Sequence, residues 1–302
     1  MISFSLPSPS REGRTALIQV LVLVALAFAV FAPQLRSMAT SAVTDLEAAH
    51  ALAAPVLILL VLLQRRRLLA EHAAAGTWTG LALVIPGLLV LAAAIWPFNY
   101  GYARSLALIP VVAGVVVVAM GWGGLARSIP LILLLAIAIP VPARIYAYLI
   151  IRTETVTMET VAMLLDYLPG VLIDLDGQDF SYTRNGEAGT FALGEPHRGA
   201  TIFMAYLMIG VYVTFMRVRP PWQIVALAIA SAPILVICNA ARLATWGAIA
   251  ILAGSHPLDQ MPRILATVAA LLLAYAMFGV FAAVLARVIA EDEDPARAPK
   301  RT

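Results

Sequence analysis

Apolar residues in this chain fall into long runs separated by short polar breaks. Eight runs approach or reach the roughly 20 residues needed to cross the hydrocarbon of a bilayer. They are 15–33, 50–64, 77–96, 104–121, 128–142, 199–216, 222–252 and 262–288. The second and fifth are short. Pro130 opens the fifth, and Pro140 and Pro142 end it, which suits a tilted or partial span. The stretch 143–198 departs from this pattern. Within 154–168, Val161, Leu164, Leu165 and Leu168 recur at helical spacing, with Glu154, Glu159 and Asp166 elsewhere. That spacing predicts an amphipathic helix lying on the membrane interface and stopped by Pro169-Gly170. Val171–Gln178 and Phe180–Thr183 then alternate apolar with polar around a turn, which predicts a short β-hairpin. The expected fold is an all-α polytopic membrane protein of about eight transmembrane helices, with an outward amphipathic helix and a short β-hairpin insertion. Three regions follow: an N-terminal four-helix membrane region at 1–127, a core at 128–290 that includes the segment 143–198, and a charged tail at 291–302.

Composition agrees with a bilayer as solvent. Of 302 residues, 62% are hydrophobic and 12% charged, and mean hydropathy is +0.92. A soluble domain carries about 25% charged residues. The first run follows Arg11 and Arg14, as a signal peptide would. Its ~18 apolar residues and the lack of a clear small-x-small cleavage site predict an uncleaved anchor. One cysteine, Cys238, excludes an internal disulfide framework and a multi-cysteine metal site. Asp174, Asp176 and Asp179 do not complete a calcium loop and are read as a solvated turn. No metal, no cofactor and no nucleic acid are expected; the lipid bilayer is the general partner.

The placement of charge sets the topology. Arg11 and Arg14, the run Arg65-Arg66-Arg67, Arg127, Arg217 with Arg219, and the tail with Arg287, Arg297, Lys300 and Arg301 fall on one side. The alternate loops are poorer in basic charge. Both termini are therefore expected in the cytoplasm, and 143–198 outside.

Arg242 and Asn239 lie in an otherwise apolar run, where a guanidinium costs about 2.5–3.5 kcal/mol on insertion scales. Counting from Trp222 at 1.5 Å per residue puts Arg242 about 30 Å along its helix, at the outer edge of the hydrocarbon. Glu195, His197 and Arg198 precede the sixth span at that same level, and His256 lies in the turn before the eighth. These six residues are predicted to share one layer. An imidazole passes protons near neutral pH, a guanidinium holds a carboxylate or an oxyanion, and an amide orients a partner. Such a set suits acyl transfer or peptide hydrolysis once a nucleophile is supplied.

The order of these motifs resembles the exosortase/archaeosortase family, polytopic membrane cysteine transpeptidases that process C-terminal sorting signals of exported proteins. The resemblance rests on Ile139-Pro140-Val141-Pro142, on Leu164–Val171 leading into the hairpin, on Glu195-Pro196-His197-Arg198-Gly199-Ala200-Thr201, on Asn239-Ala240-Ala241-Arg242 and on His256. It covers roughly 128–288. It implies that Arg242 clamps an oxyanion or substrate, that His256 transfers protons, and that the partners are exported proteins ending in a hydrophobic helix and a basic tail. His197 stands where the family carries its nucleophilic cysteine, and Thr201 where an arginine is frequent. Imidazole leaves a labile acyl group, so the cysteine mechanism does not carry over to position 197. His197, Arg242 and His256 are the candidate catalytic residues, with Glu195, Arg198 and Asn239 in support. Cys238 lies one turn below Arg242 and reads as a buried structural thiol. Three functions remain open: an exosortase-like hydrolase or transpeptidase in the cell membrane, a non-catalytic relative that binds sorting substrates, and a small-solute transporter, which fits least because its polar layer would sit near the midplane.

Overall fold

The computed structural model describes residues 11–44, 50–70, 76–141, 143–176, 179–192, 198–217, 219–253 and 260–292. Ten α-helices and one small sheet are formed among them, in two compact units, Met1–Pro142 and Ala143–Thr302. Among the described residues, four helices are long and apolar enough to cross a membrane, or five if a bent pair is one span.

In the first unit, α1 (Arg11–Val30) breaks at Phe31 and continues as α2 (Ala32–Thr44). The two apolar arms meet at 73°. Pro33 explains the break, since it lacks an N–H and clashes with the preceding turn. The expected span 15–33 is thus the first arm of a bent one. The short run 50–64 belongs to α3 (Ala53–Ala70) and the helical turn before it, and α4 (Leu81–Ile95) follows a short 3-10 turn. A brief α5 (Gly101–Leu106) precedes α6 (Leu108–Ala138). There Arg104, which lies just inside the expected span, donates through Nε to the Ala94 carbonyl at 2.9 Å and through Nη2 to Asn99.

The helix α6 merges two of the expected runs, 104–121 and 128–142, across a kink. Gly121 has φ 67° and ψ −177°, a conformation essentially confined to glycine. Leu131 packs against the cluster of Leu69, Val116 and Met120, and Leu135 against the one holding Leu108, Val111 and Val115. A straight helix would carry Leu135 about 30 Å beyond Val115. The chain therefore folds back at Gly121, and the expected loop 121–128 shrinks to a single residue. Pro130 lies inside the second arm rather than opening it. The helix α3 lines that arm: Arg65 Nη1 donates to the Arg127 carbonyl at 3.2 Å, and His50 Nε2 lies 3.1 Å from that of Ile137. On the other side α4 meets α6 backbone to backbone. A Cβ on Gly114 would sit 2.8 Å from the Val84 nitrogen of α4, and one on Gly80, in the 3-10 turn before α4, would sit 2.4 Å from the Gly114 carbonyl oxygen.

The second unit has a helical base and a cap. Helices α8 (Arg198–Phe215), α9 (Pro221–Ala253) and α10 (Gln260–Asp292) pack together. On α10 the buried residues Ala270, Ala274, Phe278 and Ala282 recur every fourth position. They meet Tyr206 and Val213 of α8 and Leu227, Ile234, Leu235 and Cys238 of α9.

The cap is α7 (Ala143–Asp166) and an antiparallel sheet of β1 (Val171–Asp176), β2 (Asp179–Arg184) and β3 (Glu187–Ala192), in that order. The expected hairpin is a three-stranded meander. Its second turn is Asn185-Gly186, both at positive φ, the strongest short hairpin signal. On α7 the inward residues are Met158, Val161 and Leu165, with Leu168 packed beside them just beyond the helix, while Leu164 is 43% exposed. This stripe packs on protein: Val171 and Phe180 of the sheet and Ala240, Leu243, Trp246 and Ile251 of α9. Arg184 fastens the sheet, its Nη1 donating to the carbonyls of Ile251 at 2.8 Å and Leu252 at 3.1 Å. Those carbonyls belong to the last turn of α9, where helical partners run out and the dipole favours a cation.

Candidate functional site

Arg242 sits where base and cap meet. It is 21 residues beyond Pro221, about 31 Å along α9. Below it Ile234, Leu235 and Cys238 belong to the three-helix base, and beside and above it Ala240, Leu243 and Trp246 belong to the cap. The helix runs unbroken past it to Ala253. Arg242 is therefore neither at a helix end nor snorkelling from one: it is 9% exposed inside protein.

Asn239 lies three residues earlier on nearly the same face. Its Oδ1 accepts from Arg242 Nη2 at 3.0 Å and from Nε at 3.3 Å. One amide oxygen thus spans one edge of the guanidinium and fixes its plane. A guanidinium held this way is a preorganised cation, the kind of group that stabilises negative charge developing on a carbonyl oxygen.

A phenol lies in the base on the neighbouring helix. Tyr206 of α8 is fully buried, and its hydroxyl has no hydrogen-bond partner among the described residues. It lies within electrostatic range of Arg242 and Cys238. A buried tyrosine hydroxyl ordinarily finds a partner. The sequence carried one signal for it: a single phenol amid the apolar stretch Ile202–Ile209, with its polar tip unexplained. Cys238 is fully buried, and its Sγ donates to Met277 Sδ at 3.8 Å on α10. Its walls are Tyr206, Phe278 and aliphatic side chains, an apolar setting that keeps a thiol inert.

Of the six predicted residues, Arg242 and Asn239 are brought together. Arg198 is the first residue of α8, and its side chain lies outside the described residues. Glu195, His197 and His256 fall in 193–197 and 254–259, outside the described residues.

Residues 42–286 match the family model described as transmembrane exosortase. No curated protein and no solved structure matches the chain.

Proposed function

The chain belongs to the transmembrane exosortase family, and from that premise we propose that it acts on the C-terminal sorting signals of exported proteins. The action is peptide cleavage or transpeptidation at the extracytoplasmic face of the cell membrane. The observation that carries this proposal is Arg242, a buried guanidinium oriented by Asn239 at the seam between helical base and cap. A carbonyl arriving there meets a fixed cation, and the Tyr206 hydroxyl lies within electrostatic range of it. His256 serves as proton-transfer group and His197 as a second candidate catalytic imidazole, with Glu195 and Arg198 supporting. The occupant is an exported chain ending in a hydrophobic helix and a basic tail.

The membrane topology goes with this proposal. Eight crossings result when bent α1–α2 counts once, when α6 is divided at Gly121 and when the shorter apolar helices His50–Arg65 and Ile202–Phe215 are included. Both termini are then cytoplasmic, and α7 and the sheet lie outside, where an exported substrate presents itself.

One fact favours a second reading, a relative that binds sorting substrates without cleaving them. Position 197 carries histidine, and the only thiol in the chain is sealed in the apolar base. A deletion strain that expresses a tagged substrate separates the two. Processing that needs the wild-type protein and is abolished by His197→Ala and His256→Ala supports the enzyme. Normal processing by both variants refutes the site assignment. Co-purification without cleavage supports the binding relative. Arg242→Ala should impair either activity while the protein still inserts; loss from the membrane would make Arg242 structural.

A further inference from the structure

At the opposite end of the base from Arg242, α8 and α10 enclose an open cavity of about 840 Å³. Its mouth carries Arg217, Arg219 and Gln223 around the turn between α8 and α9. Its floor is a strip of α10 from Tyr275 to Ala286, twelve residues spanning about 16 Å, including Ala276, Gly279 and Val280.

Arg219 is held rigidly. Its Nε donates to the Thr214 carbonyl at 3.1 Å, and its Nη1 to the Ala282 carbonyl at 3.3 Å. Gln223 Nε2 donates to the Leu285 carbonyl at 3.3 Å, which ties the start of α9 to α10. Arg217 is exposed and close enough that its charge, after burial, holds Arg219 below its ordinary value. Two guanidiniums thus share one rim of the cavity, and no carboxylate lines it among the described residues. Like charges brought together this way call for an anion, and guanidinium suits phosphate oxygens.

The shape decides which anion. A free phosphate fills the mouth alone and leaves the apolar strip along Ala276, Gly279 and Val280 uncovered. An amphiphile matches both parts. We propose that this cavity binds an anionic glycerophospholipid of the adjacent leaflet, its phosphate at Arg217 and Arg219 and one acyl chain along α10 from Ala286 towards Tyr275. Juxtamembrane basic residues attract such headgroups in general; here a groove selects the chain as well.

The test uses the full-length protein in detergent, titrated with phosphatidylglycerol or phosphatidylcholine of equal chain length and read by native mass spectrometry. Phosphatidylglycerol should be retained at least fivefold better. Arg217→Gln should abolish that preference, and Gly279→Phe should remove the bound lipid altogether. A Cβ at Gly279 meets nothing within 4 Å, so the ring enters the groove without disturbing the helix. Equal retention of the two lipids would overturn the proposal, as would unchanged binding by Gly279→Phe. Displacement by millimolar inorganic phosphate would mark a free-anion site instead. Increased binding after removal of 291–302 would show the tail to be the occupant.

Discussion

Asn239→Ala is the substitution from which the site's energetics are best measured. It leaves the 9%-exposed Arg242 charge in place and takes away an acceptor of two of its N–H groups. A hydrogen bond to a charged group contributes about 1.5–3 kcal/mol when its partner is buried. The two bonds share one oxygen and one is long, so a single strong bond is the fair equivalent, and a loss of about 2 kcal/mol is expected. Arg242→Met removes the charge with little change in volume, and the double variant should recover much of the loss. The coupling energy of the cycle should therefore lie at about 1.5 kcal/mol. Cys238 supplies the assay, because it is the only thiol, is fully buried and lies one residue from Asn239. Its labelling by a membrane-permeant maleimide reports local opening of the base around it. A loss of 2 kcal/mol raises that rate roughly thirtyfold if opening is in rapid equilibrium. Additivity of the two single variants within about 0.5 kcal/mol, or an unchanged labelling rate in Asn239→Ala, would refute the clamp.

Three further outcomes are expected. Gly121→Ala should destabilise the first unit by about 1–3 kcal/mol in unfolding by sodium dodecyl sulfate, because its backbone conformation excludes a Cβ; wild-type stability would mean that the reversal is not there. Arg184→Ala should speed amide exchange in β1 and β2 while α10 keeps its protection, and an equal change in both would show that the contact with Ile251 and Leu252 is not a local latch. In a Cys238→Ser background, Glu187→Cys should react with an impermeant reagent only from outside and Arg66→Cys only from inside; the reverse pattern would break the proposed orientation.

The apolar runs of the sequence locate most helices because hydrophobic length is what a bilayer selects. Hydropathy says nothing about direction within a run. Gly121, Gly123 and Gly124 look alike in sequence and read as a loop, yet only Gly121 takes positive φ, and helix continues on both sides of it. The third strand was hidden because Glu187-Ala188-Gly189-Thr190-Phe191-Ala192 alternates weakly. It holds because the Tyr182 ring lies over Gly189, where a Cβ would come within 2.5 Å of it. Spacing alone groups Leu164 with the apolar face of an interfacial helix, but α7 buries Met158, Val161 and Leu165 against α9 and the sheet and leaves Leu164 exposed. The position of Arg242 was legible, because counting residues along a straight helix measures distance. Tyr206 was not: its significance comes from α8 lying beside α9, which one sequence does not reveal.

The latch between Arg184 and the end of α9 also imposes an order on synthesis. Arg184 leaves the ribosome 67 residues before Ile251. At about 5–20 residues per second, that interval is roughly 3–13 s. For most of it, Val171 and Phe180 lack the α9 side chains that later cover them. The sheet is thus translated early and completed late, after α8 and nearly all of α9 have been made. A nascent chain stalled before α9 should expose an apolar β-meander, the kind of surface that chaperones and quality-control proteases recognise.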